Sequence, residues 1–422
     1  MVVFMVGAVV AISLPARGRA PERERSWPGR RIGSTDCTRS RYLRQAIGGP
    51  LDRPLANAMF TVELHRHFEA GLTPETIAKL AARHGLVEAR TRSGTVVAGV
   101  DPQDPESIRT YYRGIAAGFG HPDGFSRFAD SFGLPLSVLR TLEDLEEAAF
   151  DQVVDCADHG SLHTELRGSP FSYQEQVRAP IAEIAAALVD GVDRAWRERR
   201  ASGTFLLAFS RQKGLGGAER GLVGHQAPAI ADLAARLHRS DRPVGLDIAG
   251  FPEVPYPPGM FADALRGARE AGVPLTVHAG EQGSPPRFET ASASLIVEAI
   301  ESLGARRIGH GTSLAASSDA RLLVRERGIG VECCPVSNDR MGFMPLAQHP
   351  LPLFLEEGLL VSVCTDDPLM FGPFTVAETC DLMASAPGLH GAWRRQLARN
   401  GIESAFVSAE RRAWLREKSL GE

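Results

Sequence analysis

Four short stretches of this chain carry side chains suited to chemistry: Glu63-Leu-His-Arg-His67, Thr276-Val-His-Ala-Gly-Glu281, Gly309-His-Gly311 and Thr365-Asp-Asp-Pro368. In an extended segment residues two apart point to the same side, so His65 and His67 can offer two imidazoles to one ion. His278 is followed three residues later by Glu281, with only Ala279 and Gly280 between them, an arrangement that suits a metal ligand beside a general acid or base. His310 stands between two glycines, which leave its ring open to close approach. Asp366 and Asp367 are neighbouring carboxylates, one free to bind a metal while the other faces a substrate. Each stretch also has a plainer reading alone: a satisfied core histidine, a capping glutamate, an Asp-Pro helix start. Taken together, two histidines, a third histidine and an aspartate form a mononuclear Zn2+ ligand set with a position left for water, the equipment of metal-assisted hydrolysis.

Ligands this far apart in the chain need a fold that gathers segment ends. Strand-like runs are expected at 60–64, 162–166, 204–209, 244–248, 274–277, 307–309, 328–332 and 359–364. Helical spacing is expected between them, at 179–199, 227–237, 260–271, 291–303, 319–327 and 352–357. Strands alternating with helices predict a parallel sheet, and eight such units predict an α/β protein of the (β/α)8 TIM barrel type. The chemical residues then fall at the C-terminal strand ends, where barrel enzymes keep their chemistry. Thr73-Pro-Glu75 reads as a helix start, with a cap residue, proline in the first turn and an acid. From 104 to 158 only helical periodicity is visible, which predicts a helical insertion after the first strand, covering the barrel mouth.

The bulk properties agree with small-molecule chemistry. A formal charge of -4 with 23% charged residues gives no basic excess for nucleic acid. The six cysteines, at 37, 156, 333, 334, 364 and 380, form no C-x-x-C pair and no secreted disulfide pattern, which suggests a reducing, cytoplasmic compartment. Cys333 and Cys334 are expected to pack as small apolar residues. Residues 1–14 are almost wholly apolar, but Arg17 and Arg19 follow the apolar run, the wrong order for an export signal, and the run is short for a membrane span. Residues 17–44 lack apolar period and read as disordered. The chain is therefore divided into a disordered or mis-assigned extension at 1–58, with Met59 as a plausible start, and a single barrel domain at 59–410.

The four motifs, in this order, resemble the adenosine deaminase family of the amidohydrolase superfamily. Supporting segments agree: Glu165-Leu-Arg-Gly-Ser-Pro170, Asp247-Ile-Ala-Gly250, Glu332-Cys-Cys-Pro335 and Ala398-Arg-Asn-Gly-Ile402, so the resemblance spans 61–406. It implies one Zn2+ per chain, bound by His65, His67, His278 and Asp366, which supplies hydroxide near neutral pH. It further implies that His310 orients and deprotonates the attacking water and that Glu281 protonates the purine ring nitrogen beside the carbon under attack. Asp367 would hold the far ring nitrogen, and the backbone N–H of Gly250 the ring nitrogen near the sugar. The implied reaction converts adenosine, or a related adenine compound, to the inosine or hypoxanthine form with loss of ammonia.

Two departures and one agreement bear on the substrate. Adenosine deaminases place an aspartate on the ribose hydroxyl where this chain has Glu69, in His67-Phe-Glu-Ala-Gly71, a feature that resembles adenine and aminodeoxyfutalosine deaminases. Phe251-Pro252 replaces the usual acidic residue after Gly250, whereas Ser169-Pro170 is nearer to the nucleoside enzymes. A non-catalytic purine-binding protein on the same fold is the alternative of another class, disfavoured because all six working positions are present. A two-metal hydrolase would need a bridging lysine or carboxylate where the chain offers Gly250 and Phe251.

Overall fold

A computed structural model describes residues 60–116, 124–211, 226–250, 256–281, 290–372, 374–384 and 386–422. Among them eight strands form one sheet in chain order: β1 (Thr61–His67), β2 (Ser161–Gly168), β3 (Ser202–Ser210), β4 (Val244–Ala249), β5 (Leu275–Ala279), β6 (Arg307–His310), β7 (Gly330–Cys333) and β8 (Leu360–Val363). All seven successive pairings are parallel. The chain closes the circle just beyond β8, where the Asp366 N–H donates to the His65 carbonyl and the His67 N–H to the Asp366 carbonyl, each at 2.9 Å. The result is the expected (β/α)8 barrel. The expected strand at 328–332 begins two residues later, because Gly328 adopts a left-handed φ of 62° that ends the preceding helix.

Helices Ile181–Arg199, Gln226–Arg239, Ala262–Glu270, Thr290–Leu303, Ser318–Glu326 and Leu351–Glu356 make the crossovers between strands. The insertion after β1 is helical as expected: Pro74–Arg83, Pro105–Ala116, Gly124–Ser131, Gly133–Val138 and Leu142–Asp158. Thr73 does cap the first of these, accepting from the Thr76 N–H, and Thr141 with Asp144 forms a capping box on the last. Helices Trp393–Ser404 and Ala409–Leu420 pack against β8, β1 and β2, where Val62 and Leu64 join Ile402, Leu415 and Leu420 in one apolar cluster. No helix among the described residues is long and apolar enough to cross a membrane.

Strand alternation sorts each β-strand into an outward apolar set and an inward set. On β1 the register shifts between Glu63 and Arg66, so alternation is broken there: Val62 and His67 pair with the inward His163 and Arg167, and His65 reaches the inward Glu332, whereas Glu63 pairs with Thr164 and accepts from the Thr365 N–H and hydroxyl. The inward set is unusually polar. Near the barrel floor Arg307 donates to both carboxylate oxygens of Glu165 and, at 2.6 Å, to Glu332. Glu165 also accepts from the Phe406 N–H at 2.6 Å, and the Arg307 guanidinium lies 3.6 Å from the Phe406 ring centroid. Buried charges are tolerable only when paired this fully, and removing one partner strands the other.

Burial pushes the Glu165 carboxyl up, but Arg307 and His163 outweigh it and hold the group below its ordinary value. A carboxyl with a folded pKa below its unfolded one contributes stability that is complete above the unfolded value and lost as pH falls through the folded one. Arg307→Met is therefore expected to cost about 3–5 kcal/mol in urea unfolding at neutral pH. The gap to wild type should narrow as pH falls below about 4, where the acids protonate; a gap that stays constant in acid would show that the ion pairs are not its source.

Candidate active site

The C-terminal ends of β1, β5, β6 and β8 meet above this polar interior. His65 Nε2 lies 3.3 Å from Asp366 Oδ1, and His67 Nε2 lies 3.4 Å from the same oxygen. His67 Nε2 and His278 Nε2 are 3.3 Å apart. These separations suit ligand atoms around one cation, because a tetrahedral centre with metal–ligand bonds of about 2.0–2.2 Å has edges of roughly 3.3–3.6 Å. His65 Nε2 and Asp366 Oδ1 are buried yet make no hydrogen bond, a costly state unless something else occupies the space between them. The residues present therefore fit a zinc ion. The four expected ligands are brought together.

The other nitrogens of two of these rings are already committed. His65 Nδ1 meets Glu332 Oε2 at 2.7 Å and His278 Nδ1 meets Asp247 Oδ1 at 3.0 Å. A carboxylate only accepts, so each Nδ1 carries the proton and each Nε2 turns its lone pair toward the centre. Arg167 holds both carboxylates in turn, Glu332 at 2.9 Å and Asp247 at 3.3 Å. Burial works against Asp247, but His278 and Arg167 hold its carboxyl well below the usual carboxylate range. Asp247→Asn is expected to keep the fold and weaken zinc binding by about 10- to 100-fold. Competition with a chelator measures this, and unchanged affinity would remove Asp247 from the support of the site.

Space is tight around this set. A Cβ on Gly309 would lie 2.9 Å from His65 Cε1 and 3.3 Å from His278 Cα, so only glycine lets β6 pass so close to two ligand candidates. Two non-glycine residues at strand ends, His310 (φ 62°) and Asp366 (φ 64°), hold the left-handed conformation. Such strain persists where the surroundings over-determine it, and both residues turn their side chains into the site.

His310 Nδ1 lies 3.6 Å from Glu281 Oε1 and 3.2 Å from Asn338 Nδ2, while its Nε2 is 3.8 Å from Asp366 Oδ2. Burial drives His310 well below the ordinary histidine value, and the other imidazoles add to that, so the ring is neutral and able to take a proton. Burial likewise lowers His67 to about 3, leaving its Nε2 free to coordinate. Burial raises Asp366, but His65, His310 and His67 more than reverse this and keep it ionised. Asp367 goes the other way: burial and the Asp366, Glu69 and Glu281 carboxylates push it well up. Its Oδ1 makes no hydrogen bond.

A cavity of about 290 Å³ opens over these groups and is lined by Glu69, Gly250, Glu281, His310, Asp366 and Asp367, among others. Its size lies near the lower end for small-ligand pockets, about 300–1,000 Å³. Gly250, with φ 92°, turns the chain away at the end of β4, whereas Phe251-Pro252 lies outside the described residues. Glu69 is buried and accepts from the Tyr173 hydroxyl at 2.7 Å. Cys333 and Cys334 are buried free thiols, as are the other described cysteines, 156, 364 and 380. Cys334 comes within 4.8 Å of His65, His310 and Asp366 atoms, but burial pushes its thiol well up, so it stays protonated behind the site.

Sequence reasoning gave no role to Glu332, Asp247, Arg167, Asn338 or Tyr173. A signal was present for the first two, charged residues in otherwise apolar strands, and for Arg167, a charge in a wholly buried strand, because only a pairing partner makes such burial tolerable.

A family model described as adenosine deaminase matches residues 61–420. The adenosine deaminase of Escherichia coli O7:K1 is 32% identical over 357 residues, which cover 84% of this chain and 96% of that protein. Among solved structures, an adenine deaminase from Arthrobacter aurescens superposes with a TM-score of 0.67 at 26% identity, over 86% of this chain and 99% of that one. An amidohydrolase from Burkhoderia ambifaria, crystallised with bound Zn, gives a TM-score of 0.66 at 25% identity, over 86% and 90% of the two chains. Matched in sequence along the whole barrel, the chain belongs to the adenosine deaminase family of the amidohydrolase superfamily and is a deaminase of the hydrolase class.

Proposed function

We propose that this chain is a zinc-dependent aminohydrolase that converts adenosine, or a closely related adenine compound, to the inosine or hypoxanthine form and releases ammonia. The observation that carries this reading is the meeting of four donor atoms, from His65, His67, His278 and Asp366, beside Glu281 and His310 at the base of one cavity. One Zn2+ per chain held by those four residues would lower the pKa of a water toward neutrality. His310, neutral and buried, accepts the proton of the attacking water and stays close enough to Asp366 to be stabilised once charged. Glu281 donates a proton to the purine ring nitrogen next to the amino-bearing carbon, which makes that carbon electrophilic. The C–O bond forms, the C–N bond breaks, the amino group leaves as ammonia with the proton that His310 returns, and the hydroxyl proton left on the new C–O bond passes back to Glu281 as the carbonyl forms. Asp367, kept protonated by its surroundings, donates to the ring nitrogen on the far side, and the Gly250 N–H to the ring nitrogen near the sugar.

The Glu69 carboxylate, with one oxygen held by Tyr173, has its other oxygen available for a hydroxyl or amino group of the substrate. Glutamate at this position keeps a second substrate reading in play, the free base adenine or an aminodeoxyfutalosine-type nucleoside, with the same chemistry. The adenine deaminase of Arthrobacter aurescens, 26% identical, supports that second reading, and the Escherichia coli adenosine deaminase supports the first. We assign the catalytic unit to 59–410, leave 1–58 outside it, and place the protein in the cytoplasm on the strength of five unpaired buried thiols. Incubating zinc-loaded protein with adenosine, adenine and 5'-substituted adenosines, and following the ultraviolet change from adenine to hypoxanthine, tests the proposal. No change with any of them would overturn it.

A further inference from the structure

Arg92 has no part in that chemistry, yet it is the sole arginine or lysine among the described residues lining the cavity. It shares that lining with the carboxylates of Glu69, Glu281, Asp366 and Asp367. Its side chain is exposed, so it lies at the mouth. Its charge reaches Glu69, whose Oε1 accepts from the Tyr173 hydroxyl, but Arg92 makes no side-chain hydrogen bond or ion pair among the described residues.

The backbone beneath Arg92 is fixed from two sides. A small turn, with Arg90 bridging Val96, carries it. The Arg92 N–H donates to the Asp130 carbonyl at 2.8 Å, and the Ser93 N–H and hydroxyl donate to the Asp130 carboxylate at 2.8 and 3.1 Å. From the other side Gly133 presses against the turn: a Cβ there would lie 2.1 Å from the Thr91 carbonyl carbon and 2.3 Å from the Arg92 nitrogen. An exposed arginine on a free loop needs no explanation. An arginine mounted on a clamped turn, which shares the cavity lining with the apolar Phe128, Phe132 and Leu136, presents five donors that no acceptor of the described residues uses.

Building on the function proposed above, we infer that Arg92 is a specificity residue selecting adenine compounds whose substituent, projecting from the purine toward the cavity mouth, carries a phosphate or a carboxylate. The planar guanidinium matches either anion with two parallel hydrogen bonds. A neutral nucleoside or a free base leaves those donors to solvent.

The test compares kcat/KM for adenosine with kcat/KM for adenosine 5'-monophosphate and adenosine-5'-carboxylate, at low and high salt, in wild type, Arg92→Gln and Arg92→Lys. At least one charged substrate should exceed adenosine in wild type, and which of the two does so separates phosphate from carboxylate. Arg92→Gln should lower the charged-to-neutral ratio on the order of tenfold, through KM rather than kcat. Arg92→Lys should recover part of it, and added salt should erode the wild-type preference. Deamination of adenosine with a ratio that Arg92→Gln leaves unmoved, or with no charged substrate preferred in wild type, overturns this inference and leaves the proposed function intact. Deamination of adenine alone overturns this inference only, and no deamination of adenine or of any of the three overturns both.

Discussion

Replacing Glu281 by glutamine should abolish turnover and leave the bound zinc in place. Glutamine keeps the size and one carbonyl oxygen of the side chain but has no carboxylic proton to give. Glu281 lies in the cavity lining, with Oε1 3.6 Å from His310 Nδ1, and none of the close donor pairs that define the cation position involves it. The substitution thus removes an acid and no ligand. On the proposed mechanism Glu281 is a positioned general acid, which contributes about 10²- to 10⁴-fold, so kcat should fall by about 10³-fold or more. Metal analysis and kinetics on one preparation read both halves. Zinc missing from the variant, or turnover within about tenfold of wild type, would contradict the division of roles.

His278→Ala should lose both zinc and turnover. The substitution deletes one donor, and it does further damage beneath. Asp247, buried among charged neighbours, loses the Nδ1 proton it accepts at 3.0 Å and, among the described residues, keeps Arg167 at 3.3 Å as its one side-chain partner. Leaving a buried acceptor half satisfied costs about 1–3 kcal/mol, so thermal stability should fall as well. Loss of zinc affinity should exceed the roughly 10- to 100-fold expected for Asp247→Asn, and the two variants measured side by side order the direct contact above the supporting one. Equal losses would mean that His278 acts only through Asp247.

Much of this arrangement is readable in the chain because the barrel rule converts sequence position into location. Once alternating strands and helices are counted to eight, a histidine or aspartate at the end of a strand-like run belongs at one rim, and His65, His67, His278, His310 and Asp366 all sit there. The layer beneath them is less legible. Glu332 and Asp247 lie within runs whose other residues are apolar, and a single acid in such a run carries no mark of which distant imidazole it serves. Only three-dimensional proximity across non-adjacent strands links β7 to β1, through Glu332 and His65. Asp366 was readable as the first of two acids leading to Pro368, but its role in closing the barrel was not, because it depends on a left-handed backbone and on hydrogen bonds to residues some 300 positions away. The turn that carries Arg92 falls in a polar, glycine-containing segment with no period, and its fixed position comes from Asp130 and Gly133 in the helical insertion.

The convergence of His65, His67, His278 and Asp366 on a single cation is the claim from which the rest follows. Anomalous diffraction from crystals of the zinc-loaded protein, collected on either side of the zinc absorption edge, tests it directly. One peak per chain should appear among His65 Nε2, His67 Nε2, His278 Nε2 and Asp366 Oδ1, with Glu281 facing it and not bound to it. Two peaks at the barrel mouth, or a single peak held by other residues, would contradict the account.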